Sequence, residues 1–422
     1  MTSDRDTDVL VPEPPQVFAL RGDVVTPDAV VPDGAVVVAD GTIVWVGPLE
    51  EAAGAGVGDE VAAAEEPPPG TYVLPGLVDL HNHGGGGAGF PDAADAAEAL
   101  RAVVEHRTHG TTTLLASLVT APTETLLRQL ELLSGLAEAG EIDGIHAEGP
   151  FLAAARCGAQ DPRYLIPGDV TLVRELVEAA RGHLRTMTVA PDVDGVGGPG
   201  GAAVALVQAG VIPSLGHTDS STAQAEDLVG QVLGALAEAP GPRRRMTATH
   251  LFNGMRPLHH RDPGPIAACL AAASRGDLVV ELIGDGVHLD PATVRTVTET
   301  VGADQVALVT DAMGAAGMAD GAYRLGPQDV TVTDGVARLT DPEDPGNGAI
   351  AGGTAHLVDV VRSAVVDAGL PLVTAVRCAS WVPAGVLGRD DVGGLVAGRR
   401  ADVVVTDRDL RVQHVCRGGR PV

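Results

Sequence analysis

The chain has 422 residues, a length that allows two or three domains or one large barrel with a smaller domain. Apolar residues make up 45% and charged residues 20%, the composition of a globular protein with a substantial core. Asp and Glu number 56 against 28 Lys and Arg, and this net charge of -28 argues against nucleic acid and anionic membranes as partners. The few aromatic residues (2 Trp, 3 Tyr and 4 Phe) exclude base-stacking or sugar-stacking surfaces as its main function.

Neither the cysteines nor the apolar segments point to an extracellular or membrane protein. The cysteines are widely separated and form no C-x-x-C pair, which argues against a disulfide framework; they are Cys157, Cys269, Cys378 and Cys416. Residues 1–10 carry three Asp and no apolar segment, unlike a signal peptide. The longest uncharged stretch, near residues 195–218, is interrupted by Gly and Pro, unlike a membrane span. We therefore expect a soluble, cytoplasmic protein.

Both ends of the chain are rich in β-forming residues. Residues 17–47 contain three strand-like runs, and the pair Asp40-Gly41 between two of them is typical of a hairpin turn. Residues 401–407 and 412–415 are again strand-like. The two ends therefore predict one small β-sandwich domain, assembled from residues 1–73 and 385–422.

The middle of the chain, residues 74–384, alternates between strand-like and helix-like segments. Eight apolar runs are separated by Ala-, Leu- and Glu-rich windows of helical length, and the runs cover residues 74–81, 111–119, 143–148, 186–191, 211–217, 246–252, 278–284 and 305–311. Eight such units predict an α/β fold, a (β/α)₈ barrel of the TIM type. An open doubly wound sheet is disfavoured because no G-x-G-x-x-G motif follows the first strand. Residues 321–348 predict a β-hairpin inserted after the last strand.

Six of the eight predicted strands end in side chains that bind metals or transfer protons. Because the carboxyl ends of barrel strands meet on one face, we expect these side chains to lie together. His81 and His83 are two residues apart on one strand, so both rings point to the same side. Glu148, His217 and His250 add one carboxylate and two imidazoles, a set suited to Zn²⁺ with an open position for water. The pattern predicts a divalent metal site.

Other titratable residues receive different interpretations. Asp311 follows the last strand at the same rim and is predicted to be the acid/base that exchanges protons with metal-activated water. His146 shares a strand with Glu148, and we predict a buried, hydrogen-bonded role for it. The remaining histidines considered are interpreted as structural; they are His106, His109, His183, His356 and His414.

Positive side chains are rare and therefore informative. Residues 257–264, after the sixth strand, combine two histidines with Arg261, a side chain suited to a phosphate or carboxylate near the mouth of the barrel. Residues 243–245 form a denser Arg triplet, but they precede the sixth strand. We interpret that triplet as solvent-facing at the opposite end of the barrel.

Several long motifs occur in the order that is typical of one enzyme family. They are LPGLVDLHNHG (74–84), HAEGPFL (146–152), GHT (216–218), THLFNGM (249–255), the DPG after Arg261, GDGVHLD (284–290) and LVTDAMGAAGM (308–318). From about residue 75 to residue 388, the chain closely resembles the N-acetylglucosamine-6-phosphate deacetylases of the amidohydrolase superfamily. Its flanking strands are similar to the small β-sandwich domain of that family.

The resemblance implies hydrolysis of N-acetyl-D-glucosamine 6-phosphate to acetate and D-glucosamine 6-phosphate, a step of amino-sugar catabolism and recycling. It implies that Glu148, His217 and His250 are the primary metal ligands and that Asp311 is the catalytic acid/base. Some family members lack the two histidines that stand here as His81 and His83, so these two indicate a second metal site. We expect one or two ions per chain, most simply Zn²⁺, with Fe²⁺, Mn²⁺ and Co²⁺ as alternatives for the same donors.

The resemblance also implies substrate contacts. His288 and Arg261 match sugar-phosphate contacts, with Arg261 reaching across a homodimer interface into the neighbouring site. Gln160 stands where the family has a substrate-contacting His, and we hypothesise that its amide or a second metal takes over the polarising role. Further contact positions fall on Asn253, Gly254, Ile350, Ala351 and Gly352.

Two alternatives remain open at this stage. Another amidohydrolase deacylase, acting on an N-acyl amino acid or a cyclic amide, would share much of this site. The dihydropyrimidinase type usually needs a carboxylated Lys between its metals, and this chain contains no lysine. An inactive metal-bearing scaffold would be expected to lack Asp311 or a ligand, and none is missing.

Overall fold

The structure is a computed structural model that describes residues 17–240, 245–341 and 347–422. Residues 1–16, and with them the segment compared with a signal peptide, lie outside these ranges, as do Arg243 and Arg244 of the basic triplet. Within the described ranges no helix combines the length and apolar character that a membrane span requires.

A barrel of eight parallel strands forms the centre of the molecule and confirms the predicted fold class. In spatial and chain order its strands are Leu77–Asn82, Thr111–Leu118, Gly144–Glu148, Leu184–Val189, Ile212–Leu215, Met246–Ala248, Leu278–Ile283 and Val306–Val309. Backbone hydrogen bonds join the last strand to the first: Asp311 N–H donates to the His81 carbonyl at 2.9 Å, and His83 N–H donates to the Ala312 carbonyl at 2.7 Å. These bonds lie at the carboxyl ends of the strands, where the predicted site residues are.

Each barrel strand is followed by a helix, as the alternation of segments predicts. The eight helices are Ala96–Thr108, Thr123–Glu138, Val170–Ala179, Ala202–Gln208, Thr222–Glu238, Gly264–Ser274, Pro291–Val301 and Leu357–Val366. Local sequence fixes several of their starts: the Asp95 and Asp169 carboxylates accept backbone N–H groups of the first turn, and Ser221 with Gln224 forms a capping box. Additional helices are Gly58–Ala63, Leu372–Cys378 and Trp381–Val386.

The two chain ends meet in one seven-stranded sheet, which we call the terminal sheet. Its spatial order is Arg420–Pro421, Val412–Arg417, Val403–Thr406, Tyr72–Pro75, Val17–Val25, Val30–Ala39 and Thr42–Pro48. The strand Tyr72–Pro75 pairs with Val17–Val25 on one side and with Val403–Thr406 on the other. The predicted apolar run 74–81 therefore divides between two sheets, and the barrel strand begins at Leu77. The domain division at 73/74 and 384/385 stays a prediction.

Two small sheets lie beside the mouth of the barrel. The segment expected to be a hairpin is a three-stranded antiparallel sheet of Gly321–Leu325, Gln328–Thr333 and Val336–Leu339. A hairpin has two strands, but a second turn, at Asp334-Gly335, adds a third strand to this segment. After the first barrel strand, Gly84–Gly85 pairs with Ala88–Gly89.

Apolar side chains fill the layer between strands and helices and close one end of the barrel. Ile212, Val279 and Ala307 lie near the starts of three strands and pack in one cluster with Val382 and Val386. Helix Trp381–Val386 therefore covers the amino-terminal end of the barrel. The opposite end holds the polar site.

Candidate metal centre and active site

Three strand ends bring one carboxylate and two imidazoles together. Oε1 of Glu148 lies 2.9 Å from Nε2 of His217 and 2.8 Å from Nε2 of His250. All three residues are at most 5% exposed. Since these residues are far apart in sequence, only closure of the barrel explains their contact.

A second group lies directly beside the first. The Nε2 atoms of His81 and His83 are 3.0 Å apart, and Oδ1 of Asp311 lies 3.4 Å from the first and 3.2 Å from the second. Oε2 of Glu148 lies 3.2 Å from Nε2 of His83. Glu148 thus stands between the two groups, with one oxygen toward each.

Three of these side chains are carried by an unusual backbone conformation. The φ angles of His217, His250 and Asp311 are 46°, 25° and 48°, in the left-handed region that residues with a Cβ rarely adopt. Buried backbone hydrogen bonds hold this conformation; the backbone carbonyl of Asp311, for example, accepts from Gly353 N–H at 2.7 Å. Such backbone strain is found where function dictates the direction of a side chain.

The outer nitrogen of most of these imidazoles has its own partner. Nδ1 of His81 lies 3.4 Å from Oε2 of Glu281, and Nδ1 of His83 lies 3.2 Å from the Ser117 carbonyl. Nδ1 of His217 lies 2.8 Å from the Arg156 carbonyl. These partners orient each ring with Nε2 toward the centre, as outer partners of metal-binding histidines do. Sequence reasoning missed Glu281, although an acidic residue inside the apolar run LVVELI was a visible signal.

The charges at this site stabilise one another. Burial by itself would lower the pKa of His81, but the Asp311 and Glu148 carboxylates outweigh it and raise that pKa well above its ordinary value. Burial would raise the pKa of Glu148, but His81 and His217 outweigh it and lower that pKa well below its ordinary value. The pKa of Asp311 is also lowered. Burial by itself would raise this pKa, but the neighbouring His81 and His83 outweigh the effect of burial. Both carboxylates are therefore ionised.

The donor atoms fit a divalent cation. If Nδ1–H of His217 donates to the Arg156 carbonyl, then Nε2 presents a lone pair to Oε1 of Glu148. In that tautomer two lone pairs face each other at 2.9 Å, which a shared cation would stabilise, and a second imidazole, that of His250, faces the same oxygen. Two nitrogens and one carboxylate oxygen form a common zinc ligand set.

Beneath the ligands lies a layer of hydrogen-bonded hydroxyl groups with one imidazole among them. His146 is buried, with Nδ1 3.0 Å from Oγ of Ser117 and Nε2 2.8 Å from Oγ1 of Thr188. Thr188 lies 2.8 Å from Thr249, whose hydroxyl donates to Ser214. The predicted hydrogen-bonded role of His146 is confirmed. The ring centroids of His146 and His81 are 4.4 Å apart, so this layer packs directly against the site.

Gln160 is held from both ends. Its Nε2 donates to Oε2 of Glu148 at 2.6 Å, and its Oε1 accepts from Thr120 N–H at 2.7 Å. The side chain borders the pocket above the ligands, but both ends of its amide are engaged within the protein. The geometry therefore favours support of Glu148 over direct substrate contact.

Six of the eight predicted substrate residues line this pocket, and the other two, Ala351 and Arg261, do not. The predicted residues at its wall are Asn253, Gly254, His288, Ile350 and Gly352, together with Gln160. Nδ1 of His288 lies 2.8 Å from Oδ2 of Asp285, a partner that the sequence did not single out. Ala351 lies between two wall residues but is fully buried, with its N–H bonded to the Ala337 carbonyl. Arg261 is exposed and does not border the pocket of its own chain.

The sequence profile of the Amidohydrolase family matches residues 72–193 and 233–422, which is most of the chain. The chain belongs to the amidohydrolase family. This amidohydrolase is 32% identical over 357 residues to the N-acetylglucosamine-6-phosphate deacetylase of Lysinibacillus sphaericus, covering 83% of this chain and 85% of the relative. It is also 32% identical to the N-acetylgalactosamine-6-phosphate deacetylase of Escherichia coli O157:H7, covering 85% and 92% of the two chains.

Among solved structures, the amidohydrolase is similar to an N-acetyl-D-glucosamine-6-phosphate deacetylase from Mycobacterium smegmatis. A variant of that protein in complex with N-acetyl-D-glucosamine-6-phosphate superposes with a TM-score of 0.82 at 40% sequence identity. The match covers 96% of this chain and 99% of the solved one. The likeness therefore extends over the barrel and the terminal sheet together.

Proposed function

We propose that this amidohydrolase removes the acetyl group of N-acetyl-D-glucosamine 6-phosphate and releases D-glucosamine 6-phosphate and acetate. The observation that carries the proposal is the contact of Glu148 with His217 and His250, with Asp311 beside them at one pocket. The reactions named for its relatives support the choice of substrate. The enzyme would serve amino-sugar catabolism and recycling.

Two groups of residues would hold divalent cations. Glu148, His217 and His250 offer one set of donors, and His81, His83 and Asp311 offer a second beside it, so we propose two ions per chain. We propose Zn²⁺ because imidazole and carboxylate donors suit it, while Fe²⁺, Mn²⁺ and Co²⁺ accept the same donors. When bound, such a cation polarises the acetamide carbonyl and makes water more acidic.

Asp311 is placed to carry the proton of the reaction. Its neighbours keep it ionised, so it can accept a proton from the water that attacks the carbonyl carbon. The same carboxylic acid then gives that proton to the amide nitrogen as the C–N bond breaks. Water is thereby divided between the two products: the hydroxyl group goes to acetate and the proton to the amine.

The rest of the pocket would bind the phosphorylated sugar. Asp285 raises the pKa of His288 and so favours the protonated ring, which would attract the phosphate. Asn253, Gly254, Ile350 and Gly352 would contact the sugar from the wall. We propose that Arg261 supplies a second positive charge to the neighbouring site of a homodimer, because it is exposed and away from its own pocket. A sugar phosphate does not cross an apolar bilayer unaided, which favours a cytoplasmic enzyme.

An acetate-release assay on a substrate panel tests the proposal. The panel contains N-acetyl-D-glucosamine with and without 6-phosphate, N-acetyl-D-galactosamine 6-phosphate and an N-acetyl amino acid. We expect release from the glucosamine phosphate, much less without the phosphate, and none from Asp311→Asn. Faster release from the galactosamine phosphate would assign the epimer of the Escherichia coli relative, and release from the amino acid alone would contradict the proposal.

A further inference from the structure

One part of the active-site pocket, which we call the apolar wall, is formed by side chains without polar atoms. Among the described residues that line the pocket, these are Ala159, Leu325, Ala349 and Ile350. Leu325 ends the first strand of the three-stranded sheet beside the barrel mouth. The same sheet holds Ala349, whose carbonyl accepts the N–H of Leu339 at 2.9 Å. The inserted sheet therefore supplies most of the apolar wall.

Leu325 is the most deeply buried side chain of the apolar wall. It is 4% exposed, whereas Ala159 and Ile350 are half-buried and Ala349 is exposed. Leu325 packs in one cluster with Val119, and Ala159 packs against the same cluster. Since Val119 directly follows the second barrel strand, Thr111–Leu118, this part of the apolar wall lies on that side of the pocket.

This side of the pocket adjoins the carboxylate that stands between the two groups of candidate ligands. Thr120, the residue after Val119, donates its N–H to Gln160 at 2.7 Å. Gln160 in turn donates to Oε2 of Glu148 at 2.6 Å. The apolar wall is therefore next to the place where the acetamide carbonyl would react.

The residues proposed for the sugar and its phosphate lie on the opposite side of the pocket. Asn253 follows the sixth barrel strand and His288 follows the seventh, whereas Val119 follows the second. The second and sixth strands are four positions apart in a ring of eight, so they face each other across the barrel. A substrate with its phosphate at His288 and its acetamide at Glu148 therefore has its acyl group toward Leu325.

The shape of a secondary amide places the acyl group in the same direction. The C–N bond is planar and trans, so the acetyl methyl group and the sugar carbon lie on opposite sides of it. With the sugar on the side of His288, the methyl group points away from that side. A methyl group has no polar atom, and burial against apolar side chains favours its binding.

We propose that Leu325, with Ala159 beside it, forms the acyl-binding subsite and restricts the enzyme to short acyl groups such as acetyl. The proposal rests on the proposed function, because it takes the amide of the phosphorylated sugar as the bond that is cleaved. A propionyl or butyryl group would need the space that the Leu325 side chain fills. Leu325 is thus a residue that determines specificity, and sequence reasoning did not include it among the substrate contacts.

A series of acyl groups on one sugar phosphate tests the proposal. The substrates are the N-acetyl, N-propionyl and N-butyryl derivatives of D-glucosamine 6-phosphate, and kcat/KM is measured from release of the free amine. We expect the wild type to prefer acetyl over butyryl by about 10- to 200-fold. Leu325→Ala should reduce this preference by about 10-fold or more. Leu325→Val removes less of the core, is expected to disturb folding less, and should reduce the preference by a smaller factor.

Val332→Ala is the matched control. Val332 belongs to the same cluster as Leu325 and is also 4% exposed, but it does not border the pocket, so this variant should keep the wild-type preference. An unchanged preference in the active Leu325 variants would overturn the acyl-binding subsite. An equal loss of kcat/KM for all three substrates would also overturn it, because Leu325 would then contact the sugar. Absence of product from the wild type with every acyl group would instead contradict the proposed function, and the subsite with it.

Discussion

Gln160 donates a hydrogen bond of 2.6 Å to Oε2 of Glu148, the carboxylate that lies between the two groups of histidines. The amide cannot rotate freely, because its oxygen accepts the N–H of Thr120 at 2.7 Å. It therefore fixes which oxygen of Glu148 faces His217 and His250. The residue that the resemblance assigns to the substrate therefore also holds Glu148, a candidate metal ligand.

Replacement of Gln160 should weaken metal binding. In Gln160→Leu the Glu148 carboxylate loses a donor and Thr120 N–H loses its acceptor, so we expect a loss of metal affinity of about 10- to 100-fold. Competition with a chelator measures this loss, with the exposed Gln413→Leu as the control. If Gln160→Leu leaves metal affinity unchanged and raises KM, Gln160 contacts the substrate and does not support the metal site.

Replacement of Asp311 should abolish turnover and spare substrate binding. Asn has nearly the same shape but cannot accept a proton, so kcat of Asp311→Asn should fall by about 10²- to 10⁴-fold. Substrate affinity and metal content are measured in parallel, because Asp311 also faces His81 and His83. Near-normal turnover in a variant with full metal content would remove Asp311 from the chemistry.

The pair of His288 and Asp285 should make phosphate binding depend on pH. Burial would lower the pKa of His288, but the hydrogen bond and charge of Asp285 outweigh it and raise the pKa above its ordinary value. His288 is then positive below this raised pKa and loses its charge as the pH rises through it. KM for the phosphorylated sugar should therefore increase with pH, and Asp285→Asn should move that increase to lower pH. Identical KM profiles for the two enzymes would rule out this coupling.

Arg261 can be assigned to its own or the neighbouring site by mixing subunits. Arg261→Ala and Asp311→Asn homodimers should both be nearly inactive. In a mixed dimer, the subunit that retains Asp311 would receive Arg261 from its partner, so one intact site should return. Mixing and refolding the two variants should therefore restore activity. Absence of restoration, with mixed dimers demonstrated by differently tagged subunits, would place Arg261 in its own site.

Gly254 leaves space for His217, a proposed metal ligand. A Cβ at position 254 would lie 2.6 Å from Nδ1 of His217, and the φ of 59° disfavours any residue with a side chain. Gly254→Ala should therefore displace the imidazole and lower both metal affinity and turnover. Gly230, in helix Thr222–Glu238, has open space around it, so Gly230→Ala is the control and should stabilise the fold by about 0.5–1 kcal/mol.

The barrel could be predicted because its signals are local. Each strand–helix unit carries its own apolar run and often its own cap, such as Asp169 or Ser221. The meeting of the candidate ligands at one site could be predicted because strand ends in a barrel converge, whatever lies between them in sequence. Neither inference needs knowledge of how a loop is folded.

The parts that sequence reasoning missed depend on the path of loops or on the closure of the barrel. Gln160 contacts Glu148 only because the loop between them turns back into the pocket. His356 contacts Glu105 across 251 positions of sequence, and no periodic pattern links residues on different helices of the outer ring. Glu281 was overlooked because it lies within a buried strand and before its end.

The order of strands in the terminal sheet has a consequence for biosynthesis. Tyr72–Pro75 pairs with the amino-terminal strand Val17–Val25 on one side and with Val403–Thr406 on the other. During synthesis, this edge therefore stays bare until residues 403–406 have emerged from the ribosome. A nascent chain that stalls late would present that edge to other molecules, as unpaired strands do during aggregation.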